Sequence, residues 1–173
     1  MNKISEYLLT CFKIGYVKKA PGTFGSFFAL LCWCLTYFFL AGADIYYKNI
    51  IIFLIIISLT LIGSFLAKEF QNFKNSDSID NSAIILDEFV GQFISLQLSY
   101  YFLLSDLNNL NLILMIIISF ILFRFFDITK PSIIGYFDKN IKNGFGVFLD
   151  DILAGIVASI FTILFFKVIF IFG

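Results

Sequence analysis

The 173-residue chain contains no histidine, so the commonest general base and the commonest transition-metal ligand are both absent. An acid–base role must therefore fall to Asp or Glu. Cysteine is scarce too, and Cys32 and Cys34 lie in an apolar run where cysteine usually packs as a small hydrophobe. Neither a disulfide framework nor a thiolate metal site is expected. The 12 basic and 12 acidic residues leave no net charge, so no nucleic-acid partner is expected.

Hydrophobic residues, by contrast, make up 60% of the chain and charged residues only 14%, with a mean hydropathy of +0.96. A soluble domain is usually about half apolar and about one quarter charged. The composition therefore predicts an integral membrane protein. The length leaves room for a single domain, residues 1–173, and the N-terminus lacks the apolar core of a signal peptide.

The apolar residues form five runs that predict an all-α, polytopic membrane bundle of about five hydrophobic helices with polar loops. Helices are expected because backbone groups in lipid must hydrogen-bond within their own segment. The third run is unusual because it contains Asp87, Glu88 and Gln92. The five runs are Phe24–Ala43, Ile50–Ala67, Ala83–Leu104, Leu110–Phe126 and Ile152–Phe172.

Basic residues are concentrated on one side of these helices. If the N-terminus is cytoplasmic, loops 68–82 and 127–151 are cytoplasmic too. The N-terminal segment, these two loops and Arg124 together account for ten of the twelve basic residues. The outer loops hold only Lys48. Because Lys and Arg accumulate in cytoplasmic loops, the pattern predicts a cytoplasmic N-terminus and cytoplasmic polar loops. All the polar clusters described below then fall at one membrane face.

The stretch from Arg124 to Gly155 places several charges between two apolar runs. A segment that only crosses a bilayer has no use for such charges, so they predict a site for a divalent metal and a phosphate. Arg124, Asp127 and Lys130 are expected on one helical face before Pro131 ends the helix. Asp138 is expected in the following loop, and Asp150 and Asp151 at the start of the last helix. The structural alternative for Arg124, Asp127 and Lys130 is a basic flank with local ion pairs. For Asp150 and Asp151 it is a favourable interaction of acids with the helix dipole.

Asp87 and Glu88 lie together in the sequence AIILDEFVGQF. Two acids inside an apolar segment require neutralisation by protons, a cation or a basic partner. Because Mg²⁺ prefers carboxylate oxygens, the pair is a candidate half-site for that ion. The alternative is a helix that begins nearer Phe89 and leaves both acids in an interfacial loop.

The segment Lys18–Ser26 leads into the first long apolar run. Thr23 or Ser26 is predicted to cap the helix there. The free N–H groups and the positive end of the helix dipole suit a phosphate, and Lys18 and Lys19 add positive charge. The alternative is a capped helix with an ordinary basic flank.

These segments together resemble the phosphatidylglycerophosphatase A family of bacterial inner-membrane lipid phosphatases. The resemblance covers nearly the whole chain. It is carried by Pro21–Ser26, Ile84–Gly91, Phe123–Pro131, Phe137–Asp138 and Asp150–Gly155, in that order. The chain departs from the usual family pattern at Ile133, at Asn143–Gly146 and in lacking a histidine before Asp87.

The resemblance implies Mg²⁺-dependent hydrolysis of phosphatidylglycerophosphate to phosphatidylglycerol and inorganic phosphate at the cytoplasmic face of the inner membrane. It implies three overlapping sets of site residues. The metal set is Asp87, Glu88, Asp127 and Asp151; the catalytic set is Asp127, Asp138, Asp150, Asp151 and Lys130; the substrate-binding set is Thr23, Ser26, Arg124 and Lys130.

Other mechanisms and functions are weighed against this one. Direct attack by water is favoured over an aspartyl-phosphate because the DxDx[TV] signature of haloacid dehalogenase phosphatases is absent. The main alternative function is a small cation- or proton-coupled transporter subunit that uses Asp87 and Glu88, although no inverted repeat is visible. The chain lacks the sequence pattern of CDP-alcohol phosphotransferases. A role as a non-catalytic subunit would leave the acids unexplained. The expected partners are a phospholipid substrate and the membrane, while the oligomeric state stays open.

Overall fold

The computed structural model describes residues 3–40, 42–74, 82–131, 133–141 and 143–172, and within these ranges every regular element is helical. The predicted all-α bundle is confirmed. Two short 3₁₀ turns, Ile14–Tyr16 and Leu104–Asp106, accompany the α-helices. The α-helices are α1 (Lys3–Leu9), α2 (Pro21–Phe39), α3 (Ile45–Lys74), α4 (Leu86–Leu103), α5 (Asn109–Thr129), α6 (Ile133–Asn140) and α7 (Gly144–Phe172).

Four of the described helices are long and apolar enough to cross a membrane. They present many exposed phenylalanine, isoleucine and leucine side chains, as surfaces in contact with lipid do. The four spans are Pro21–Phe39, Ile45–Lys68, Asn109–Thr129 and Gly144–Ile169.

The third predicted run, Ala83–Leu104, corresponds to α4, which lies in the interior of the bundle. It packs most extensively against α7 and α2, and also against α3 and α5. Its eighteen residues rise about 27 Å, close to the thickness of a hydrocarbon core. Asp87, Gln92 and Gln97 are all buried. The polar residues that lower its hydropathy therefore face other helices and not lipid.

The start of α2 corrects one prediction. The helix begins at Pro21 and its N-cap is Ala20, which makes no side-chain capping bond. Proline suits the first helical position because its φ is preset and its missing N–H has no partner to lose. Ser26 Oγ instead donates to Gly22 O at 2.9 Å inside the helix. The prediction that Thr23 or Ser26 caps this helix was wrong.

The start of α7 corrects a second prediction, which placed Asp150 and Asp151 at the start of the last helix. The helix begins at Gly144, eight residues before the predicted run, and Asn143 Oδ1 accepts the Gly146 N–H at 2.8 Å. Asp150 and Asp151 therefore lie inside the helix and not at its start, so the helix-dipole explanation does not apply to them.

The predicted loop around Asp138 is also corrected. This residue lies in α6, whereas the sequence analysis placed it in a loop. The side chain of Asp138 falls outside the described part of the structure.

Candidate active site

The polar segments meet at one end of the bundle. Helices α2 and α4 begin there, α5 ends there, and α7 passes through in its second and third turns. At Gly22, a Cβ atom would meet Glu88 Oε1 and Arg124 Nη1. At Gly91, a Cβ atom would meet the Asp151 carbonyl oxygen. Four helices thus approach within van der Waals contact at this end.

Three carboxylates form the centre of this end. One oxygen each from Asp87, Glu88 and Asp151 lies within 4.8 Å of the others. Asp87 is only 7% exposed and Asp151 only 4%. Helix α4 begins at Leu86, so both of its acids lie in the first helical turn and not in an interfacial loop. The Glu88 N–H donates to Asp87 Oδ1 at 3.0 Å.

The donor set of these three residues fits a hard divalent cation. Mg²⁺ takes oxygen ligands and is usually held by one or two carboxylates. Carboxylates this close and this buried repel one another unless protons or a cation neutralise them. In addition, Glu88 Oε2 is buried and accepts no hydrogen bond from any described residue. Geometry and chemistry are therefore both suitable for a metal.

Two cations lie beside the carboxylates, each paired with an aspartate. Arg124 Nη1 contacts Asp127 Oδ2 and donates to Ser26 Oγ at 3.3 Å. Lys130 Nζ pairs with Asp150 Oδ2. The Arg124–Ser26 hydrogen bond links α5 to α2, and the Lys130–Asp150 pair links the end of α5 to α7.

Lys130 differs from its predicted place. Helix α5 ends at Thr129, and Lys130 is the C-cap in a left-handed conformation with φ of 41°. The turn directs Lys130 to α7, away from the face that it was expected to share with Arg124 and Asp127.

The remaining predicted residues are distributed around this centre. Asp127 is outside the group of three oxygens but close enough to Glu88 and Asp151 for their charges to interact. Thr23 lies half-buried in the first turn of α2, where its N–H bonds the Ala20 carbonyl at 3.0 Å. The structure thus brings together residues from all three predicted segments, while their individual roles stay predictions.

Sequence reasoning missed two neighbours of the site. Gln92 is fully buried, and neither polar atom of its amide bonds any described residue. Its spacing of four residues from Glu88 was the available signal. Cys11 lies against the start of α4, with its Sγ 4.0 Å from Ile85 O. Burial, together with the charges of Asp87 and Glu88, raises the pKa of Cys11 to about 12. This thiol is therefore protonated at neutral pH.

The fold and this cluster define a class: polytopic helical membrane proteins with a buried, acidic polar site at one end of the bundle. Comparison with known proteins narrows the class. The family model described as "Phosphatidylglycerophosphatase A" matches residues 7–166. The chain therefore belongs to the phosphatidylglycerophosphatase A family, a family of phosphatases, and the predicted resemblance is confirmed.

Individual relatives agree with this assignment. A Haemophilus influenzae protein named "Phosphatidylglycerophosphatase A" is 36% identical over 154 residues, covering 86% of this chain and 80% of the relative. An Escherichia coli protein of the same name is 31% identical over 159 residues, covering 92% and 81%. A Bacteroides thetaiotaomicron protein named "Putative phosphatidylinositol-3-phosphatase" is 31% identical over 151 residues, covering 87% and 86%. No solved structure matches the chain.

Proposed function

We propose that this protein hydrolyses phosphatidylglycerophosphate to phosphatidylglycerol and inorganic phosphate, with Mg²⁺, at the cytoplasmic face of a bacterial inner membrane. The observation that carries the proposal is the group formed by buried Asp87, half-buried Glu88 and buried Asp151 beside Arg124 and Lys130. Carboxylates for a metal and cations for a phosphate are the two requirements of such a reaction. The names of two relatives supply the substrate.

Asp87, Glu88 and Asp151 are the residues that would hold Mg²⁺. The ion would neutralise phosphate charge and make water a better nucleophile. Asp127 lies next to the group and is a further candidate ligand. Because these acids lie on α4, α5 and α7, the bundle itself fixes their separation.

Arg124 and Lys130 would bind the phosphate oxygens. Their aspartate partners, Asp127 and Asp150, keep both cations directed towards the site before substrate arrives. Such pre-organisation is important because donors that are already aligned stabilise the charge of the transferring phosphoryl group. Ser26 orients Arg124 through its hydroxyl, and Thr23 offers a hydroxyl at the start of α2.

The reaction itself is an exchange of two phosphorus–oxygen bonds. The oxygen of water bonds phosphorus while the ester bond to the glycerol oxygen breaks. One proton passes from the water to a carboxylate, since the chain has no histidine, and the departing oxygen takes up a proton. Asp127 and Asp150 are candidates for this transfer because each is already held by a cation. The acyl chains would remain in the bilayer and orient the headgroup.

The cytoplasmic location rests on the distribution of basic residues. The end of the bundle that carries the site also carries the N-terminal lysines and Arg124, whereas residues 44–49, at the opposite end, contain only Lys48. Cytoplasmic loops of membrane proteins are enriched in Lys and Arg. The transporter alternative has no comparable support, because the family consists of phosphatases.

Phosphate release from a panel of lipids tests the proposal. Purified protein in detergent would be given phosphatidylglycerophosphate, phosphatidylinositol 3-phosphate or phosphatidic acid, each with Mg²⁺ or with EDTA. We expect the highest kcat/KM on phosphatidylglycerophosphate and loss of activity in EDTA. Faster hydrolysis of phosphatidylinositol 3-phosphate would overturn the proposed substrate. Full activity in EDTA would overturn the proposed dependence on Mg²⁺.

A further inference from the structure

Gln92 is the most unusual polar side chain in the interior of the bundle. It is fully buried in the middle of α4, and neither Oε1 nor Nε2 bonds any described residue. Gln97 on the same helix is almost as buried, but its amide accepts from Trp33 Nε1 at 2.9 Å and donates to Asn49 Oδ1 at 2.5 Å. The two glutamines thus share a helix and a degree of burial but differ in whether their amides are partnered.

The position of Gln92 relates it to the carboxylates. It lies four residues after Glu88, and such residues are neighbours on one face of a helix. Side chains in a helix lean towards its N-terminus, which for Gln92 is the direction of the turn that holds Glu88. Glu88 Oε2 is buried and likewise makes no hydrogen bond with a described residue. Two polar side chains with unpartnered atoms therefore lie one turn apart on the same face of α4.

A partner for both groups has to offer hydrogens and lone pairs together. A buried amide without hydrogen bonds destabilises a fold, and replacing it with an apolar side chain is neutral or better. An ionised carboxylate only accepts, whereas an amide both donates and accepts. Water satisfies both, since it can donate one hydrogen to each of two oxygens and still present a lone pair.

We propose that Gln92 positions the water that attacks phosphorus, an inference that rests on the hydrolysis proposed above. Gln92 Oε1 accepts one hydrogen of this water, the second hydrogen is directed to the neighbouring carboxylates, and the lone pair faces the phosphate. The water oxygen forms the new bond to phosphorus as the ester bond breaks. Gln92 keeps its own protons throughout. Amide side chains orient attacking water in the same way in some nucleotide hydrolases.

Paired substitutions of the two glutamines test this role. Gln92→Met keeps the length of the side chain and removes the amide, and Gln97→Met does the same at a partnered position. For Gln92→Met we expect kcat to fall at least tenfold, with KM and the half-maximal Mg²⁺ concentration unchanged and Tm unchanged or higher. For Gln97→Met we expect a lower Tm and unchanged kcat, because Trp33 and Asn49 lose their partner.

Two results would overturn the inference. One is wild-type kcat in Gln92→Met, and the other is a fall in Tm that accompanies its fall in kcat, which would indicate a packing role. If Gln92→Met does not fold, Gln92→Leu is measured in the same way and judged by the same outcomes. An inactive wild-type enzyme would instead contradict the proposed function. An active wild type with equally active Gln92 variants contradicts the role of Gln92 alone.

Discussion

Arg124 and Lys130 each contact an aspartate, so both of these cations are paired before any ligand binds. Asp87, Glu88 and Asp151 lie together, and of these three Glu88 also interacts with the charge of Arg124. Buried like charges require compensation. At the residue scale, three acids are thus clustered where an added cation would compensate their charge, while Asp127 and Asp150 hold the two cations of the protein itself.

Arg124→Lys tests whether the guanidinium has a role beyond its charge. Arg124 Nη1 reaches both Asp127 and Ser26, and a lysine ammonium lacks the planar fork that permits this. We expect kcat/KM for phosphate release to fall about tenfold or more, with little change in Tm because the charge remains. Lys167→Arg, a swap of like charge at an exposed position of α7, is the control. Equal activity of Arg124→Lys and wild type would exclude a directional contact.

The residue types of the site were predictable from sequence, but their pairing was not. Acids and cations in apolar surroundings identified Asp87, Glu88, Asp127 and Asp151 without any structure. The partners of Lys130 and Arg124 depend on how α5 packs against α7 and α2, which no local pattern encodes. Gln92 was noted in the third apolar run but was not assigned to the site, because only the structure shows that it is fully buried and that its amide bonds no described residue.

At the scale of elements, the site depends on the close approach of α4 and α7. A Cβ atom at Gly155 would meet the carbonyl oxygen of Gly91, and one at Gly91 would meet the carbonyl oxygen of Asp151. Backbone atoms cannot move aside without shifting a helix. These two glycines therefore set the distance between the acids of α4 and Asp151.

Gly155→Ala is expected to separate the two helices. The clash should cost about 1–3 kcal/mol, more than the roughly 1 kcal/mol that alanine contributes as a better helix former. We expect a lower Tm and a higher Mg²⁺ concentration for half-maximal activity. Gly42→Ala, where no atom lies within 4 Å of the new Cβ, is the matched control. A Gly155→Ala protein with wild-type Tm and wild-type Mg²⁺ dependence would contradict this account of the contact.

Apolar runs predicted the five long helices because lipid imposes helical structure on any spanning segment. Their polar ends were harder to predict. The run that begins at Ile152 hid the two preceding turns of α7, in which glycines and aspartates lower the hydropathy while Asn143 still caps the helix. Helix α6 was read as loop because it is short and follows Pro131.

In the whole molecule, the proposed topology requires that α4 cross the membrane, although α4 is not among the four most apolar spans. Several of its polar side chains are hydrogen-bonded inside the bundle: Gln97 links Trp33 to Asn49, and the hydroxyls of Ser95 and Ser119 are 2.8 Å apart. With α4 counted, five crossings place the N-terminus and the site on one side and residues 44–49 on the other.

Labelling of single cysteines tests this topology. In a variant with Cys11, Cys32 and Cys34 replaced by alanine, Lys18→Cys and Asp44→Cys would each introduce one exposed thiol. We expect a membrane-impermeant maleimide to label Asp44→Cys in intact spheroplasts and Lys18→Cys only after lysis. Labelling of Lys18→Cys in intact spheroplasts would contradict a cytoplasmic site.

We propose above that the carboxylates clustered at one end of the bundle are the site of metal-dependent phosphate release. The most direct measurement is the initial rate of phosphate release from phosphatidylglycerophosphate, with Mg²⁺, by wild type and Asp151→Asn. The substitution keeps the shape and removes one charge from the crowded group, so Tm should hold or rise. We expect the rate of the variant to be lower by about a hundredfold or more. A wild-type rate in folded Asp151→Asn would contradict it.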